Sequence, residues 1–443
     1  MAERIKVLVL DDDPTGSQTV HSCPLLLRWD PGSLRQALLH PSPLLFLLAN
    51  TRALDPQAAE QRVRSICHVL KPALAEAQAA GVIDRWLIVS RGDSTLRGHF
   101  PLELEVIEQE LGPFASTLLV PAFLPGGRTT KDGMHLLHGE PVHATAFAQD
   151  RLFGFTSSFL PAWVEEKTAG QISADSVQQI SCADLEAGPE VLKERLAVLP
   201  PASIACVDAE RPDQLTALGE AIWARERQGQ RFALQSAASL INGLVPLPPQ
   251  PLDASGLAGL RRGPALPGLV LVGSHVPLAD AQLTTLLAEP DCIGIELDVR
   301  KVARVAFGPE RQRLLASLEQ SWRQQIETVI SQGQTPVFFT SRGEVHCAST
   351  AERRELGMEL AQLMARLAAG LAPQLGYVIS KGGITTHTLL ESGLKAPWVE
   401  LQGQLFAGLS LVLTPDGLPV ITFPGNLGDA SSLRQAWTLM QQP

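Results

Sequence analysis

The densest group of reactive side chains lies in Arg91-Gly92-Asp93-Ser94-Thr95-Leu96-Arg97-Gly98-His99. Its two guanidinium groups offer forked donors that match carboxylate or phosphate oxygens. Its aspartate and its two hydroxyl residues can hydrogen-bond the alcohols of a polyol. This composition predicts a site for a small, oxygen-rich anion. The alternative is a solvated, salt-bridged loop, because most charged residues are exposed.

A second polar group, Asp11-Asp12-Asp13, follows an apolar run over residues 5–10. Adjacent carboxylates repel one another, so they require a cation, hydrogen-bond donors or water around them. One interpretation is an acidic cluster that receives a substrate hydroxyl or orients Mg²⁺, which prefers oxygen ligands. The other interpretation is a polar turn that caps the next helix.

Both groups follow short apolar runs, which are typical of buried parallel strands. Further runs in the first half cover 44–49, 86–90, 118–120, 203–207 and 232–234, with helical patterns over 56–80 and 212–228. The second half has runs over 269–272, 294–297, 336–340, 377–380 and 420–422, with helical patterns over 309–331 and 350–371. This alternation predicts an α/β fold of two doubly wound domains with a ligand cleft between them.

The proline-rich segment Pro246-Leu247-Pro248-Pro249-Gln250-Pro251 is typical of a linker, and a loose run follows it to Pro267. We therefore expect an N-terminal domain over residues 1–245, a linker over 246–267 and a C-terminal domain over 268–443. In the first domain, the glycine-rich stretch 125–133 predicts either a surface hairpin or a lid over the site.

Three predicted strand ends in the second half combine glycine with small polar residues. They are Gly273-Ser274, Lys381-Gly382-Gly383-Ile384-Thr385, and Gly425-Asn426 with Gly428. Glycine lets backbone N–H groups approach phosphate oxygens, and the start of a following helix favours anions. Each turn alone is common in α/β folds, but together they predict a nucleotide-phosphate site.

The composition excludes several classes of protein. A net charge of −10 and a low aromatic content of 5% argue against a nucleic-acid binder. No apolar run approaches the roughly 20 residues of a membrane helix, and no signal-peptide pattern is present, so we expect a cytoplasmic protein. The six scattered cysteines fit reduced thiols. The P-loop, the dinucleotide fingerprint, the H-E-x-x-H helix and the G-x-S-x-G elbow are all missing.

The chain resembles the four-carbon acid sugar kinase family, formerly a domain of unknown function. The resemblance spans nearly the whole sequence and rests on motifs that occur in the family's order. In the first half they are Asp12-Asp13-Pro14-Thr15-Gly16, Thr51-Arg52, Arg91 with 93–98, 127–130 with Asp132-Gly133, and Thr145 with Phe147-Ala148 and Asp150. In the second half they are Gly273-Ser274, 382–385, and Gly425-Asn426 with Gly428.

The resemblance implies a division of labour between the two domains. The N-terminal domain would bind the sugar acid, and the residues implied are Arg52, Arg91, Asp93, Ser94, Thr95 and Arg97, one of the arginines clamping the carboxylate. Asp12 or Asp13 would be the catalytic base. The C-terminal domain would bind ATP, and the residues implied are Ser274, Lys381, Gly382, Gly383, Ile384, Thr385, Gly425, Asn426 and Gly428. Mg²⁺ would bridge the phosphates, with no protein ligand of the metal assigned.

The expected function is therefore an ATP-dependent kinase that phosphorylates a hydroxyl of a small sugar acid such as threonate or erythronate. Many relatives carry a lysine just before the last glycine turn, where this chain has Phe423-Pro424, so Lys381 or an arginine must supply the cation. One alternative is a non-catalytic sugar-acid sensor that has kept the fold. Another is an aldolase or lyase that uses the aspartates and a metal. We expect the protein to bind a sugar acid and ATP, and to bind neither nucleic acid nor membrane. A homodimer is one oligomeric state that we expect it can form.

Overall fold

The computed structural model of the protein describes residues 3–14, 19–306, 310–343 and 349–441. The chain divides into two compact units, Met1–Pro249 and Gln250–Pro443. Thr15 and Gly16 of the acidic motif lie outside the described residues, as does Pro309 at the predicted start of a helix. In the described part of the chain, no helix is both long enough and apolar enough to cross a membrane.

The first unit alternates strands and helices. Its strands are β1 (Ile5–Asp11), β2 (Cys23–Leu26), β3 (Leu44–Leu48), β4 (Arg85–Arg91), β5 (Ser116–Val120), β6 (Arg128–Lys131), β7 (Met134–Leu137), β8 (Glu140–Pro141), β9 (Gln178–Ile180), β10 (Ser203–Val207) and β11 (Phe232–Ser236). Its helices are α1 (Pro31–Leu39), α2 (Pro56–Ala79), α3 (Leu102–Leu111), α4 (Leu160–Lys167), α5 (Cys182–Glu186), α6 (Pro189–Ala197), α7 (Pro212–Arg227) and α8 (Ala238–Leu244).

The main sheet of the first unit is parallel, in the order β2-β3-β1-β4-β11-β5-β10-β9. Because β1 lies between β3 and β4, the chain crosses from one side of β1 to the other after β3. The carboxyl end of β1 is therefore a topological switch point, where ligands of doubly wound sheets bind. β3 is buried along its whole length, as expected for a parallel strand covered on both faces.

A small antiparallel sheet, β6-β7-β8, follows β5. The glycine-rich stretch of the sequence supplies the β6–β7 hairpin, whose turn residues Asp132 and Gly133 have φ angles of 50° and 74°. Glycine and aspartate tolerate this left-handed conformation better than most residues. Asp208, just after β10, accepts hydrogen bonds from both of their backbone N–H groups at 2.9 Å. The hairpin prediction is confirmed, and a role as a lid stays a prediction.

The second unit begins with helix α9 (Ala254–Ala258) and then alternates strands and helices. Its strands are β12 (Gly268–Val272), β13 (Cys292–Leu297), β14 (Thr335–Thr340), β15 (Tyr377–Lys381), β16 (Trp398–Phe406), β17 (Leu409–Leu413) and β18 (Pro419–Phe423). Its other helices are α10 (Pro277–Leu287), α11 (Val299–Ala306), α12 (Arg311–Ser331), α13 (Thr350–Leu371), α14 (Gly383–Thr388) and α15 (Ser432–Gln441).

The strands β13-β14-β12-β15-β18 of the second unit are parallel neighbours, and β12 again lies at a reversal of the strand order. The strands β18-β17-β16 continue the sheet as antiparallel neighbours. The α/β fold with two parallel-rich units is confirmed. The sequence interpretation did not include the antiparallel strands, because it looked only for strand–turn–helix repeats.

The boundary between the units falls at residue 249, inside the segment expected to be a linker. Residues 254–258 of that segment are helical rather than a loose run, because Asp253 caps the helix by accepting the Gly256 N–H at 2.8 Å. Leu257 and Ala258 are buried in the core of the second unit. This part of the predicted linker therefore contributes to a folded domain.

Candidate functional site

The predicted acidic and basic groups of the first unit meet where three neighbouring parallel strands end. In the β1–β4 register, Asp11 pairs with Arg91, and in the β1–β3 register it pairs with Leu48. The turns after β1, β3 and β4 therefore start at the same level of the sheet. Asp12, Arg52 and Asp93 lie one, four and two residues beyond these strand ends, so their side chains come together.

Arg52 is the centre of this group. Its Nε and Nη2 donate to the two carboxylate oxygens of Asp12 at 2.9 and 2.5 Å. Its Nη1 lies 3.3 Å from Asp13 Oδ2 and 3.9 Å from Asp93 Oδ1. Arg91 Nη1 lies 3.3 Å from Asp11 Oδ1 and 3.6 Å from Asp12 Oδ1. Each carboxylate thus has a cation beside it, which offsets their mutual repulsion.

The segment after β4 forms a second pair. Arg97 Nε donates to Asp93 Oδ2 at 2.7 Å, and the Thr95 hydroxyl donates to the same oxygen. The Arg97 guanidinium also lies 4.9 Å from the centre of the Phe147 ring and 3.8 Å from Asp150 Oδ2. These contacts hold the segment in one conformation, with Asp93, Arg97 and Asp12 lining a small cleft.

Burial and charge act in opposite directions on these carboxylates. Burial raises the pKa of Asp11 to about 7, although the adjacent Arg91 opposes the shift. Burial also raises the pKa of Asp12, despite Arg52. For Asp93, burial acts upward, but Arg52 and Arg97 together lower its pKa. Asp11 therefore exchanges its proton near neutral pH, whereas Asp93 stays charged.

Glu103 is a central residue that the sequence interpretation missed. It lies in the first turn of α3, and its carboxyl accepts hydrogen bonds from the Thr51 hydroxyl at 2.5 Å and the Ser90 hydroxyl at 2.8 Å. Burial raises its pKa to about 7. The available signal was helical spacing: Glu103 shares one helix face with the buried residues Ile107 and Leu111. A carboxylate at a core position is unusual unless it has partners.

Two histidines of the first unit have structural partners. His99 Nε2 lies 3.0 Å from Thr51 O and 3.1 Å from Leu54 O. His135, on β7, lies 2.8 Å from Ser94 O through Nε2 and 2.9 Å from the Thr130 hydroxyl through Nδ1. Burial lowers the pKa of His135 to about 4, so it is neutral at physiological pH. His135 therefore connects the small sheet to the backbone of Ser94, one of the predicted substrate-binding residues.

The glycine turns of the second unit also lie side by side. Val272 pairs with Lys381, and Lys381 with Phe423, in the registers of β12, β15 and β18. A Cβ atom on Gly273 would lie 2.1 Å from Thr385 Oγ1, and one on Gly425 would lie 2.9 Å from Ser274 Oγ. The three turns are therefore packed so closely that a Cβ atom at either position would have to displace a neighbouring hydroxyl side chain.

Lys381 supports the third turn from inside the unit. It is fully buried, and its Nζ donates to Pro424 O at 3.1 Å and to Gly425 O at 3.2 Å. Its ammonium lies 4.1 Å from the centre of the Phe423 ring. Burial lowers the pKa of Lys381 to about 8. By contrast, Ile384 and Asn426 have exposed side chains at the turns.

Two further residues at these turns were not predicted. Arg342, just after β14, donates through Nη1 to Ser274 O at 2.6 Å, and the same nitrogen lies 3.1 Å from Asp280 Oδ1. Its Nε and Nη2 atoms are buried and have no hydrogen-bond partner. Gln282 donates to Leu427 O and Asp429 O at 2.9 and 2.6 Å and so fixes the third turn. Arg342 follows the predicted strand 336–340 and precedes Gly343, so a strand-end signal was present for it. Gln282 lies in α10, outside any strand-end motif, and sequence pattern offered no signal for it.

The described residues contain no group of three or more histidine, cysteine, aspartate or glutamate side chains arranged to hold a metal ion. The acidic cluster Asp11-Asp12-Asp13 does offer carboxylate oxygens, which are the donors that Mg²⁺ prefers. Because Mg²⁺ in kinases is held largely by phosphate oxygens and water, one or two such carboxylates are a sufficient protein contribution.

Both units match known domain families. Residues 7–244 match the family model described as a sugar-binding N-terminal domain, and residues 269–433 match the one described as a nucleotide-binding C-terminal domain. The chain is thus a two-domain protein with one sugar-binding and one nucleotide-binding domain. It belongs to the four-carbon acid sugar kinase family.

Two relatives named as kinases are similar over most of the chain, and a third is similar over about half of it. A D-threonate kinase of Bordetella bronchiseptica is 26% identical, over 86% of this chain and 87% of that protein. A D-threonate kinase of Salmonella typhimurium is 24% identical, over 98% of this chain and 97% of that protein. A D-erythronate kinase of Heliobacterium modesticaldum is 27% identical, over 54% of this chain and 49% of that protein.

Solved structures support the fold. The structure of a Salmonella typhimurium protein, described as a candidate tRNA synthase, aligns with a TM-score of 0.70 over 97% of this chain and 98% of that one, at 17% identity. A Haemophilus influenzae protein aligns with a TM-score of 0.67 over 98% and 100%, at 15% identity. At these identities the likeness concerns the architecture alone.

Proposed function

We propose that the protein is an ATP-dependent kinase that phosphorylates a hydroxyl of a small sugar acid, such as threonate or erythronate. The observation that carries the proposal is the group of paired charges around Arg52, in the domain that matches the sugar-binding family model. Phosphoryl transfer depends mainly on positioning and charge neutralisation, and this group would position the hydroxyls of an anionic polyol. The kinase names of the relatives support the same reaction.

The sugar acid would bind to the segments after β3 and β4. Asp93 and the hydroxyls of Ser94 and Thr95 would bind its alcohols, and Arg52, Arg91 and Arg97 would supply the surrounding positive charge. Because Asp93 stays ionised beside Arg52 and Arg97, it accepts hydrogen bonds from hydroxyl groups at any physiological pH.

Of the two aspartates predicted as the catalytic base, Asp13 is the better candidate. Both oxygens of Asp12 already accept from Arg52, and its side chain is only 3% exposed, whereas that of Asp13 is 26% exposed. A general base must reach the attacking hydroxyl. The Asp13→Asn variant should retain acid binding and lose about 100-fold or more of kcat. An Asp13→Asn variant with wild-type kcat would exclude Asp13.

ATP would bind at the glycine turns of the second unit. The backbone N–H groups of 273–274, 382–385 and 425–428 would contact the phosphates, and the exposed Ile384 would contact the nucleoside. Lys381 would shape the third turn from inside the unit. Arg342, whose Nε and Nη2 atoms have no hydrogen-bond partner, would supply positive charge for the phosphates. Mg²⁺ would neutralise phosphate charge when bound.

A coupled assay of ADP release tests the proposal. The purified protein is given ATP, Mg²⁺ and a panel of four-carbon acids, together with the neutral four-carbon polyols as controls. We expect ADP release that depends on one or a few of the acids and not on the polyols. Folded protein that turns over none of the acids would contradict the proposal.

The sensor alternative was suggested by Phe423, and the kinase names of the relatives do not favour it. Calorimetry separates the two functions, because a sensor binds acid without turning over ATP. The ligand cleft between the domains, the cytoplasmic location and the homodimer expected from the sequence stay predictions.

A further inference from the structure

The arginines that the sequence assigns to the substrate carboxylate are already engaged within the protein. Arg52 forms a two-point ion pair with Asp12, Arg91 lies against Asp11, and Arg97 pairs with Asp93. A carboxylate that bound Arg52 through the same two donors would have to displace Asp12, whereas Arg91 and Arg97 keep other donors but already lie beside an aspartate. Breaking such a pair leaves an uncompensated charge, which is strongly unfavourable.

Arg128, the first residue of β6, is an arginine without a carboxylate partner. Among the described residues, no aspartate or glutamate oxygen lies within ion-pair distance of its guanidinium. Its Nη1 donates to Gly126 O at 2.6 Å, and its guanidinium lies 5.8 Å from the centre of the Phe123 ring. Its Nε atom is buried and has no hydrogen-bond partner. A buried N–H without a partner is costly, so a ligand that accepts from it gains affinity.

The position of Arg128 is fixed by its surroundings. A Cβ atom on Gly126 would lie 2.2 Å from Arg128 Nη1 and 2.6 Å from the Phe123 ring. Only glycine therefore leaves room for the guanidinium against the ring. Arg128 is also the first residue of β6, whose hairpin is held by Asp208 at one end. The guanidinium is thus preorganised rather than mobile, which lowers the entropic cost of binding.

Arg128 is close to the acid-binding segment. His135, on the neighbouring strand β7, lies 2.8 Å from Ser94 O and so connects the small sheet to that segment. Burial lowers the pKa of Arg128, and the charges of Asp93 and Arg97 act on it as well. The guanidinium therefore belongs to the same electrostatic neighbourhood as the two residues proposed to bind the substrate.

We propose that Arg128 receives the carboxylate of the sugar acid, while Arg52, Arg91 and Arg97 hold the aspartates that bind its hydroxyls; this rests on the function proposed above. Arg128 then determines the preference of the site for acids over neutral polyols. The other three arginines determine the shape of the site that binds the hydroxyls. A free guanidinium is suited to this task because its fork matches both oxygens of a carboxylate.

The test compares the binding of a four-carbon acid with that of the neutral polyol of the same stereochemistry, by calorimetry on full-length protein. The Arg128→Gln variant should lose about 10- to 150-fold in affinity for the acid, the equivalent of one charge-assisted hydrogen bond, and less than about twofold for the polyol. The Gly126→Ala variant keeps the charge but displaces the guanidinium, and should show a smaller loss with the same selectivity. The Lys131→Gln variant, on the same strand and paired with Glu210, is the control and should bind both ligands as the wild type does.

Arg128→Gln protein that keeps the wild-type preference for the acid would overturn this inference and leave the proposed kinase function intact. Equal losses for acid and polyol would also overturn it, because they would indicate a general collapse of the site. Wild-type protein that binds none of the acids would overturn the proposed function and this inference together.

Discussion

The strand ends of the first unit are crowded with paired charges, whereas those of the second unit are built mainly from glycine and hydroxyl residues. Around Arg52, the proposed recognition would depend on side chains whose partners are set by ion pairs. Around Gly273, the proposed recognition would depend on how closely three turns can approach one another. The carboxyl ends of the parallel strands therefore carry mainly charged side chains in one unit and mainly closely packed backbone turns in the other.

This difference determines how each site responds to change. A side-chain site is sensitive to charge and to pH, because buried carboxylates exchange protons with solvent. A backbone site is sensitive to added volume, because a Cβ atom has no space to occupy. The following predictions test that contrast, beginning with the largest expected effect.

The Arg52→Met variant should show the largest loss. It leaves the Asp12 carboxylate, whose side chain is 3% exposed, without its two-point partner. Breaking a buried pair costs about 3–5 kcal/mol, so the free energy of unfolding measured in urea should fall by that amount, and acid binding should be lost. The control is Arg35→Met, which removes an exposed pair with Glu76 and should change stability little. Equal losses of unfolding free energy in the two variants would contradict the idea that burial makes the Arg52–Asp12 pair important for stability.

The Glu103→Gln variant should change the pH dependence of stability. The pKa of Glu103 is raised by burial to about 7 from 4.5, so between these pH values the native state holds a proton that the unfolded chain has lost. The free energy of unfolding of the wild type therefore falls as the pH rises from 4.5 to 7, by up to about 3 kcal/mol from this group. Asp11 acts in the same direction.

Because glutamine does not titrate, the slope of the Glu103→Gln variant over this window should be shallower. Urea unfolding at pH 5, 6, 7 and 8 provides the measurement. Parallel profiles for variant and wild type would show that Glu103 is not protonated in the native state.

The Gly273→Ala variant should weaken nucleotide binding. Its Cβ atom would lie 2.1 Å from Thr385 Oγ1, so the Thr385 side chain or its turn must shift, at a cost of about 1–3 kcal/mol. Calorimetry should show weaker ATP binding and unchanged acid binding. The matched control is Gly357→Ala on α13, where a Cβ atom meets nothing within 4 Å. This variant should leave both affinities unchanged. Normal ATP binding by Gly273→Ala would exclude this turn from the nucleotide site.

The Ile384→Ser variant should have the smallest effect on stability. Its side chain is 63% exposed, so the free energy of unfolding should change by less than about 0.5 kcal/mol. An apolar side chain exposed at a glycine turn has a role only if a ligand covers it, so we expect ATP affinity to fall several-fold and acid affinity to stay the same. Unchanged ATP affinity would show that the nucleoside binds elsewhere.

The positions of both sites could be predicted from sequence because buried parallel strands are continuous apolar runs. The run over 203–207 matches β10 in full, and the helical pattern over 350–371 matches α13 in full. The polar residues that end such runs necessarily lie at one edge of the sheet. β16 was missed although its residues alternate between buried and half-buried, because the strand β17 follows it instead of a helix.

The pairing within the sites could not be predicted. Sequence shows that Asp12, Arg52 and Arg91 follow strands, but which carboxylate each arginine meets depends on strand order and register. Glu103 and His135 act on the site from a helix and a separate hairpin, outside any strand-end motif. Lys381 looked like a phosphate ligand, yet its Nζ is directed into the unit, towards the carbonyl groups of the third turn.

Hydrogen exchange of the full-length protein, followed by mass spectrometry with each ligand in turn, tests the division of labour most directly. A four-carbon acid that proves to be a substrate in the ADP-release assay should slow exchange at residues 50–52 and 92–98 when it is added without ATP. ATP given alone should slow exchange at 273–274, 382–385 and 425–428. Protection of the second set by the acid, or of the first set by ATP, would contradict the account.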